Sequence, residues 1–432
     1  MAMTMSFATE VKLIALDPAH FHAALVQKEM LPGIARRSYI YAPLGQDLYE
    51  HLKRIEGFNT RADHPTNWEL DVHCTDDSLR RMCTERPGNV VVLAGRSGNK
   101  MDHIRAALDA GLNVLADKPW IIHASQLAAL EAALDLADRS GLVAYDIMTE
   151  RYEPTNIIQK NLVNDPAVFG AIAAGSESEP GVEIESTHHL LKLVAGQPNL
   201  RPAFFFDASD QGTALADVGT HLLDLVQSTL FPNQSLRTPQ DLKVGAIRRW
   251  PTEMTLDQFQ RVTALPAFPP QLAGNVKQGR LQFDGNGEVH YQIRGIHVRL
   301  AALWHYESPT GIDLHHAVYR GANARVDVRQ GEKEKYVPEV YVVPNGPRNR
   351  DAVTQAVEAH LRRAQTQYAG IAYETAGEEL HITLPGRYRI GHEAHFAQVL
   401  GQFLTYLGSP KSMPAWERAN MISKYTVSTT GV

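Results

Sequence analysis

The chain has 432 residues, of which 44% are hydrophobic and 21% charged, so it can bury a sizeable core and is long enough for two domains. Its formal net charge is −6, and no run of lysine and arginine could follow a phosphate backbone, which argues against a nucleic-acid partner. Two cysteines, Cys74 and Cys83, are too few for a disulfide framework and lack the spacing of metal ligands.

The beginning of the sequence, MAMTMSFATE, has no basic segment followed by an apolar one. Nowhere do eighteen uncharged apolar residues follow one another, so no membrane span or membrane partner is predicted. Together with the small number of cysteines, this predicts a cytoplasmic protein.

Short apolar runs alternate with helical patterns through the first 150 residues, which predicts a parallel sheet covered by helices. The predicted strands are VKLIAL, SYIYAP, NVVVLAG, NVLAD and LVAYDIM, and the predicted helices start near His22 and cover about 48–56, 100–110 and 125–140. Ligands of such sheets bind beyond the carboxyl ends of the strands. We therefore expect functional residues near Asp17, Pro43, Gly95, Asp117 and Asp146.

After Tyr152 the pattern changes, so residues 1–150 and 151–432 are assigned to two domains. Helices are predicted over 154–164, 215–230, 351–365 and 393–407, and the last residues look like a ragged tail. Strand-like segments with alternating polarity fill residues 279–330, with turns predicted at DGNGE (284–288) and RGAN (320–323). The second domain is therefore expected to be α+β with a large, mostly antiparallel sheet, which also offers a surface for a homo-oligomer.

Two strand ends carry possible ligand-binding residues. Ala94, Gly95 and Arg96 form a turn before a helix, where small residues let a ligand approach the backbone, although any strand-to-helix turn favours glycine. In ADKPW, Pro119 restricts the backbone of Lys118, whose side chain needs a partner if it projects into a crevice. A surface lysine beside a loop proline is the alternative.

A further polar set lies in GTALADVGTHLLDLVQ (212–227). Asp217, His221 and Asp224 are spaced i, i+4, i+7, so they share one face of a helix whose other residues are apolar. Buried carboxylates and imidazoles need partners or a ligand. A charge near the start of the helix and a well-packed histidine would also account for them.

Together, ADKPW and Gly-x4-Asp-x3-His-x2-Asp about a hundred residues later resemble the Gfo/Idh/MocA family of NAD(P)-dependent sugar oxidoreductases, which includes relatives of glucose–fructose oxidoreductase and inositol dehydrogenase. The segments WHYESPTGIDLHHAVYRG and RIGHEAHFAQVLGQFLTYL resemble a subgroup with a longer C-terminal domain. The resemblance implies an N-terminal Rossmann-type domain, NAD or NADP as cofactor, a small carbohydrate as substrate, and Lys118, Asp217 and His221 as catalytic residues.

The same resemblance implies that Lys118 or His221 accepts the hydroxyl proton while hydride leaves the sugar carbon. Asp117 stands where glutamate is commoner in the family. The cofactor is expected to contact Asp17, Pro18, His20, Phe21, His22, Ala94, Gly95, Arg96, Asp117, Lys118 and Pro119. The substrate is expected to contact Glu150, Arg151, Tyr152, His188, His189, Asp217 and His221, with Lys192, His315 and His316 as weaker candidates.

Adjacent histidines suggest metal ligands, but neighbouring residues on a strand face opposite ways, so the sequence predicts no metal site. The nucleotide signature is also incomplete. The first turn, DPAHFH (17–22), lacks G-x-G-x-x-G, and the second strand ends in Ala42, Pro43 and Leu44 without the acid typical of NAD enzymes, although Asp47 follows shortly. NAD is favoured over NADP, and a tightly bound cofactor is one of the alternatives.

Three functions follow from these features. The first is an NAD(P)-dependent dehydrogenase of a sugar or glycoside hydroxyl. The second is an NAD-dependent glycoside hydrolase that oxidises C3 transiently, eliminates the glycosidic substituent and restores the cofactor, with Tyr152, His188 or His189 as an additional base. The third is a non-catalytic protein that senses a cofactor or sugar, which the missing glycines suggest.

Overall fold

The computed structural model describes residues 10–194, 197–198, 200–308, 310 and 312–431. Residues 1–9 of the N-terminal segment and positions 309 and 311 of the C-terminal motif lie outside them. The chain forms two compact units, Met1–Tyr152 with Gly391–Tyr425, and Glu153–Ile390 with Thr426–Gly431. Among the residues described, no helix is long and apolar enough to cross a membrane.

The N-terminal unit is built on six strands in the order 3-2-1-4-5-6, and every pairing is parallel. This is the strand order of dinucleotide-binding sheets, so the Rossmann-type prediction is confirmed. Its elements are β1 (Leu13–Leu16), α1 (His22–Leu25), β2 (Arg37–Ala42), α2 (Gln46–Thr60), β3 (Glu69–Cys74), α3 (Ser78–Glu85), β4 (Val90–Leu93), α4 (Lys100–Asp109), β5 (Asn113–Asp117), α5 (Leu127–Ser140) and β6 (Ala144–Ile147).

Two elements of this unit escaped the sequence analysis. Strand β3 lies at the edge of the sheet, and none of its residues is fully buried, so its sequence ELDVHC shows no continuous apolar run. By contrast, all four residues of β1 and of β4 are buried, and those strands were predicted. The second missed element, α3, follows β3 directly.

The C-terminal unit contains a ten-stranded sheet that is antiparallel except where β7 pairs with β13, as predicted for a mostly antiparallel sheet. Its elements are α6 (Pro154–Val163), β7 (Val182–His189), β8 (Leu193–Val194), β9 (Gln197–Pro198), α7 (Ala208–Gln211), α8 (Ala214–Leu230), β10 (Leu242–Met254), α9 (Leu256–Thr263), β11 (Val276–Lys277), β12 (Arg280–Ile293), β13 (Ile296–His305), β14 (Leu314–Arg320), β15 (Ala324–Gln330), β16 (Glu339–Pro344), α10 (Pro347–Ala364), β17 (Ala372–Ala376) and β18 (Glu379–Thr383).

The turn predicted at DGNGE is wrong, because β12 continues through it and turns only at 294–295. Asn286 is held inside the sheet, where its side chain donates to Thr252 Oγ1 (2.8 Å) and accepts from the Trp304 backbone N–H (3.1 Å). A Cβ on Gly287 would lie 2.6 Å from the side chain of Leu215 on α8. Gly287 therefore lets a helix pack on a strand. The turn predicted at RGAN does join β14 to β15.

The C-terminal tail is not ragged, and most of it belongs to the N-terminal unit. The structure contains α11 (His392–Gly408) and α12 (Ala415–Thr429). The apolar face of α11, including Phe396 and Phe403, packs in one cluster with Leu115 of β5 and Tyr145 of β6. Residues 391–425 were assigned to the second domain by sequence, and this packing explains why they cluster with the first.

Candidate functional site

A cavity of about 530 Å³ lies at the carboxyl ends of β1, β2 and β4. This is the place where the strand order reverses, the usual ligand position in doubly wound sheets. Its volume is within the range of small-molecule and cofactor pockets. The lining residues are Leu16, Asp17, Pro18, Ala19, Ala42, Pro43, Gly45, Gln46, Asp47, Leu48, Leu93, Gly95, Arg96, Asn99, Lys100 and His103.

Four of the predicted cofactor residues line this cavity: Asp17, Pro18, Gly95 and Arg96. The other seven, which are His20, Phe21, His22, Ala94, Asp117, Lys118 and Pro119, are not among its lining residues. The cavity thus lies at the edge of the sheet that the sequence predicted for the cofactor. The sequence did not separate residues that face this cavity from residues that face its surroundings.

The first turn holds its shape without the usual glycines. Asp17 takes a left-handed conformation (φ 43°), and its carboxylate accepts a hydrogen bond from Ser78 Oγ (2.7 Å). Gly95, at the end of the neighbouring strand β4, allows the close approach, because a Cβ there would lie 2.5 Å from the carbonyl oxygen of Asp17. The glycine that the turn requires is thus on β4, outside DPAHFH.

Charged side chains surround the cavity. Arg96 Nη1 forms an ion pair with Asp47 Oδ2 (3.0 Å), so the carboxylate that follows β2 lies at this site. Lys100 is buried and donates to Ser97 Oγ (3.2 Å) and to the backbone carbonyl of Asp117 (3.1 Å). Burial raises the pKa of the Asp17 carboxyl above its ordinary value. These features are compatible with a dinucleotide. A carboxylate can accept hydrogen bonds from ribose hydroxyls, cations can bind phosphates, and a glycine lets the ligand approach the backbone closely.

The two histidines of the first turn point to the end of β5. His22 Nδ1 lies 2.9 Å from Asp117 Oδ2, and His20 Nδ1 lies 3.5 Å from the same oxygen. Burial, followed by the positive charge of Lys118, holds the pKa of His22 well below its usual range. Phe21, between them, is exposed and its ring contacts both imidazoles. These residues form a compact group, which we call the HxH–Asp117 cluster (His20, His22 and Asp117).

Lys118, the predicted catalytic lysine, is buried at the end of β5, and the Lys118–Pro119 peptide bond is cis. The positive charge of Lys118 helps to lower the pKa of His22, so Lys118 is close enough to interact electrostatically with the HxH–Asp117 cluster. The structure thus provides the buried environment in which a lysine is functionally useful.

The segment after β6 contains Glu150, Arg151 and Tyr152, which were predicted to contact substrate. Arg151 Nη1 instead forms an ion pair with the buried carboxylate of Glu417 on α12 (2.9 Å). Glu417 also accepts from the hydroxyl groups of Tyr145 and Tyr406, both at 3.3 Å. Arg151 therefore has a structural partner within the N-terminal unit.

In the C-terminal unit, α8 carries Asp217, His221 and Asp224 as predicted. Asp217 lies in the first turn of the helix, and both aspartates are buried. Burial lowers the pKa of Arg201 to about 10, while the charges of Asp313 and Asp217 favour its protonated form. The carboxylates of Asp217 and Asp313 thus interact electrostatically with the guanidinium of Arg201.

Asp313 organises the histidines at the end of β7. Its carboxylate contacts His188 Nδ1 (3.0 Å) and Lys192 Nζ (2.5 Å), and accepts from the backbone N–H of His189 (3.2 Å). Burial raises the pKa of Asp313, but the hydrogen bonds and charges of His188 and Lys192 outweigh it and hold the pKa below its ordinary value.

His188 also joins a hydrogen-bonded chain, because its Nε2 lies 3.0 Å from Ser186 Oγ. Among the weaker candidates for substrate contact, His315 is buried enough that its pKa falls to about 4. His316 is exposed on the same strand.

Sequence reasoning missed Asp313 and Arg201 in this unit and Lys100 and His103 in the other. Asp313 lies 125 positions from His188, and no motif connects them. Lys100 reads as the first residue of an ordinary helix, because its contact with Asp117 depends on the pairing of β4 with β5.

The C-terminal part of the chain, residues 158–432, matches a protein family described as "Putative oxidoreductase C terminal domain". A crystal structure of a protein from Parabacteroides merdae, described as a "putative oxidoreductase", is 40% identical, with 98% of each chain covered and a TM-score of 0.95. GenD2 from gentamicin A biosynthesis, in complex with NAD, is 13% identical over 99% of this chain and 95% of that one, with a TM-score of 0.59.

KijD10, a 3-ketoreductase from Actinomadura kijaniata solved with NADP and TDP-benzene, is 12% identical over 96% of this chain and 95% of that one, with a TM-score of 0.56. At such low identity, KijD10 and GenD2 support the fold alone. No curated protein matches the chain.

Proposed function

Because this chain belongs to the oxidoreductase C-terminal domain family, we propose that it transfers hydride between a sugar or glycoside hydroxyl carbon and a nicotinamide dinucleotide. The observation that carries the proposal is the cavity at the switch point of a 3-2-1-4-5-6 parallel sheet, lined by Asp17, Gly95, Arg96 and Asp47. The relatives GenD2 and KijD10 were solved with NAD and NADP, respectively, in support of this cofactor class.

We favour NAD over NADP because Asp47 lines the cavity beyond β2. A carboxylate accepts hydrogen bonds from both ribose hydroxyls and repels a 2′-phosphate. Its ion pair with Arg96 neutralises the one exposed guanidinium among the lining residues, which would otherwise attract that phosphate.

The bound nicotinamide supplies the hydride acceptor or donor, and the protein supplies binding and proton transfer. Lys118 and His221 are the proposed acceptors of the hydroxyl proton, since the oxygen must lose its proton as the C–H bond breaks. Lys118 as a cation also stabilises negative charge on that oxygen, and Asp217 accepts a hydrogen bond from a neighbouring hydroxyl. Lys118 and Asp217 are buried, which strengthens their electrostatic effect.

The test begins with the dinucleotide that co-purifies with the full chain, followed by turnover with a panel of sugars and glycosides. Lys118→Ala is expected to reduce kcat/KM by at least roughly a hundredfold, the usual contribution of a general acid–base group. Lys53→Ala changes an exposed lysine of α2 and should leave turnover unchanged. Equal turnover of the two variants would contradict the catalytic assignment of Lys118, and absence of turnover by the wild type with every compound of the panel would favour a sensor.

A second candidate, glycoside hydrolysis through transient oxidation, is favoured by the chain Ser186–His188–Asp313. Bound NAD would supply the hydride acceptor for C3 and the donor that restores it, while a base of the chain takes the C3 hydroxyl proton and gives it back at the end. Between these two events a base removes the acidified proton from C2, and the glycosidic oxygen leaves C1 with its electron pair and takes a proton. The oxygen of a water molecule then adds at C1 as the water loses one proton, and a proton returns to C2. Asp313 orients His188 as the base, in the way that carboxylates fix catalytic imidazoles.

Incubation of a glycoside with a catalytic amount of NAD separates the two functions. Release of free sugar without net NADH would rule out the simple dehydrogenase. In that case Asp313→Asn should slow the release at least roughly tenfold, since His188 loses its orienting acceptor. Asp284→Asn, an exposed matched change, should have no effect, and equal rates for both variants would contradict the role of His188.

A further inference from the structure

The HxH–Asp117 cluster has the composition and spacing of a metal site. One potential ligand atom from each of His20, His22 and Asp117 lies within 4.8 Å of the other two. His22 and Asp117 are 6% and 3% exposed, so the group differs from the surface carboxylates that often lie close together by chance. All three residues belong to the N-terminal unit.

The hydrogen bonding of His20 leaves two acceptors facing each other. The backbone N–H of His22 donates to His20 Nδ1 in a long hydrogen bond (3.4 Å), which marks this nitrogen as the unprotonated one; a bound metal ion would replace that hydrogen bond at the same lone pair. The same nitrogen lies 3.5 Å from Oδ2 of Asp117, which also presents lone pairs. A nitrogen and an oxygen acceptor approach this closely without penalty when a cation binds both.

Asp117 provides an independent indication. Within the described residues, its Oδ1 is buried and has no hydrogen-bond partner. A buried carboxylate oxygen without a partner is costly, and metal coordination is one of the ways in which proteins satisfy it. Lys100 is close, but its Nζ donates to the backbone carbonyl of Asp117.

The distances suit a first-row transition metal. With metal–ligand bonds of about 2.0–2.1 Å, tetrahedral ligand atoms are roughly 3.3 Å apart. The separations from Asp117 Oδ2 to His22 Nδ1 and His20 Nδ1, 2.9 and 3.5 Å, lie on either side of that value. Two imidazoles and one carboxylate are ligands of Zn²⁺ and of non-haem iron, whereas Mg²⁺ and Ca²⁺ prefer oxygen alone.

We propose that His20, His22 and Asp117 bind a divalent transition metal ion of the Zn²⁺ class through the two imidazole Nδ1 atoms and the carboxylate. Three protein ligands leave a coordination position open, as in sites where a metal binds water or a substrate oxygen. The His20 side chain is 21% exposed, which gives the ion a route of entry. This inference is independent of the hydride-transfer proposal, because it predicts metal binding whether or not the protein turns over a sugar.

The experiment measures binding directly on the full chain. Protein stripped with a chelator is titrated with Zn²⁺ by calorimetry and with Co²⁺ by visible absorption, and the metal content of untreated protein is measured by mass spectrometry. We expect one ion per chain and a Co²⁺ spectrum of low coordination number.

Two variants identify the ligands. His20→Ala changes a partly exposed side chain, and Asp117→Asn keeps the size of a buried one, so thermal unfolding can confirm that both fold. Each should bind Zn²⁺ at least roughly tenfold more weakly, because loss of even an outer-shell group costs that much. His316→Ala, at an exposed histidine of β14, should bind as the wild type does. No binding, or weak binding of several ions that His20→Ala leaves unchanged, would overturn the proposal.

Discussion

The replacement Gly95→Ala tests whether the first turn forms the cofactor site without glycines of its own. An ideal Cβ at position 95 would lie 2.5 Å from the carbonyl oxygen of Asp17. This is roughly 1 Å closer than a favourable non-bonded contact of a carbon atom. The atom that must move belongs to the backbone, so rotation of a side chain cannot relieve the clash.

The turn has little freedom to move. The backbone N–H of Asp17 donates to Tyr41 (2.9 Å), and that of His20 donates to Ala94 (3.0 Å). Overpacking of a well-packed position costs typically about 1–3 kcal/mol. We therefore expect the free energy of unfolding of the N-terminal unit to fall by about this amount, while the protein remains folded.

Binding should weaken as well, because Asp17, Pro18 and Ala19 line the cavity. If about 1.4 kcal/mol of the strain must be relieved by moving the turn into the cavity, the affinity for dinucleotide falls tenfold. Titration with NADH followed by fluorescence measures the affinity, and urea unfolding measures the stability.

Gly57→Ala provides the matched control. Gly57 lies in α2, and a Cβ there meets nothing within 4 Å. The change should leave binding unaltered and increase stability by about 0.5–1 kcal/mol, since alanine favours helix. If Gly95→Ala lost stability but bound dinucleotide like the wild type, the turn would not belong to the cofactor site.

Three further changes test the charges of the N-terminal unit. Asp47→Asn should weaken NAD binding by roughly tenfold and raise the affinity for NADP relative to NAD, because a charged acceptor of ribose hydrogen bonds is lost. If parallel titrations gave the same NADP-to-NAD affinity ratio as the wild type, the NAD preference would be refuted. Burial lowers the pKa of His51 to about 4 in the folded state. Between this value and the ordinary pKa of about 6.5, the unfolded state binds more protons than the folded state. The stability that His51 contributes above about pH 6.5 is therefore lost as the pH falls. At pH 5 this loss is about 2 kcal/mol, and urea unfolding of His51→Leu at pH 7 and 5 should show a smaller difference than the wild type. Lys424→Met removes the partner of Asp146 in a buried ion pair (2.6 Å) and should cost about 3–5 kcal/mol in the same assay, whereas Lys53→Met stays within about 0.5 kcal/mol.

The parallel sheet could be predicted because its central strands are buried on both faces. VVVL of β4 forms a continuous apolar run, and any such run between helical patterns predicts a parallel strand. Strand β3 at the edge has no buried residue and no regular alternation of exposed ones, so its sequence was indistinguishable from a loop. The DGNGE segment misled for another reason: Gly287 allows packing against Leu215, and Gly285 allows close contact with Phe283 and Trp304, which no local pattern encodes.

The sequence predicted that the candidate site lies at the carboxyl ends of the strands, but it did not identify the side chains that face the cavity. Parallel topology brings the carboxyl ends of the strands to one edge, so Asp17, Gly95 and Asp117 were found from the sequence alone. Which of them face the cavity depends on pairing across the sheet and on side-chain direction. Asp313 was missed because its contact with His188 joins residues 125 positions apart.

The first turn shows how a ligand-binding requirement can be met by a residue elsewhere in the sequence. Gly95, which follows β4, lets two backbone segments approach closely, and DPAHFH carries side chains where a dinucleotide turn usually has glycines. Two of those side chains, His20 and His22, reach Asp117 instead of lining the cavity. The loss of glycines from the first turn therefore permits a second cluster of ligating atoms beside the cofactor edge, and the Zn²⁺ titration of His20→Ala tests whether that cluster holds a metal ion.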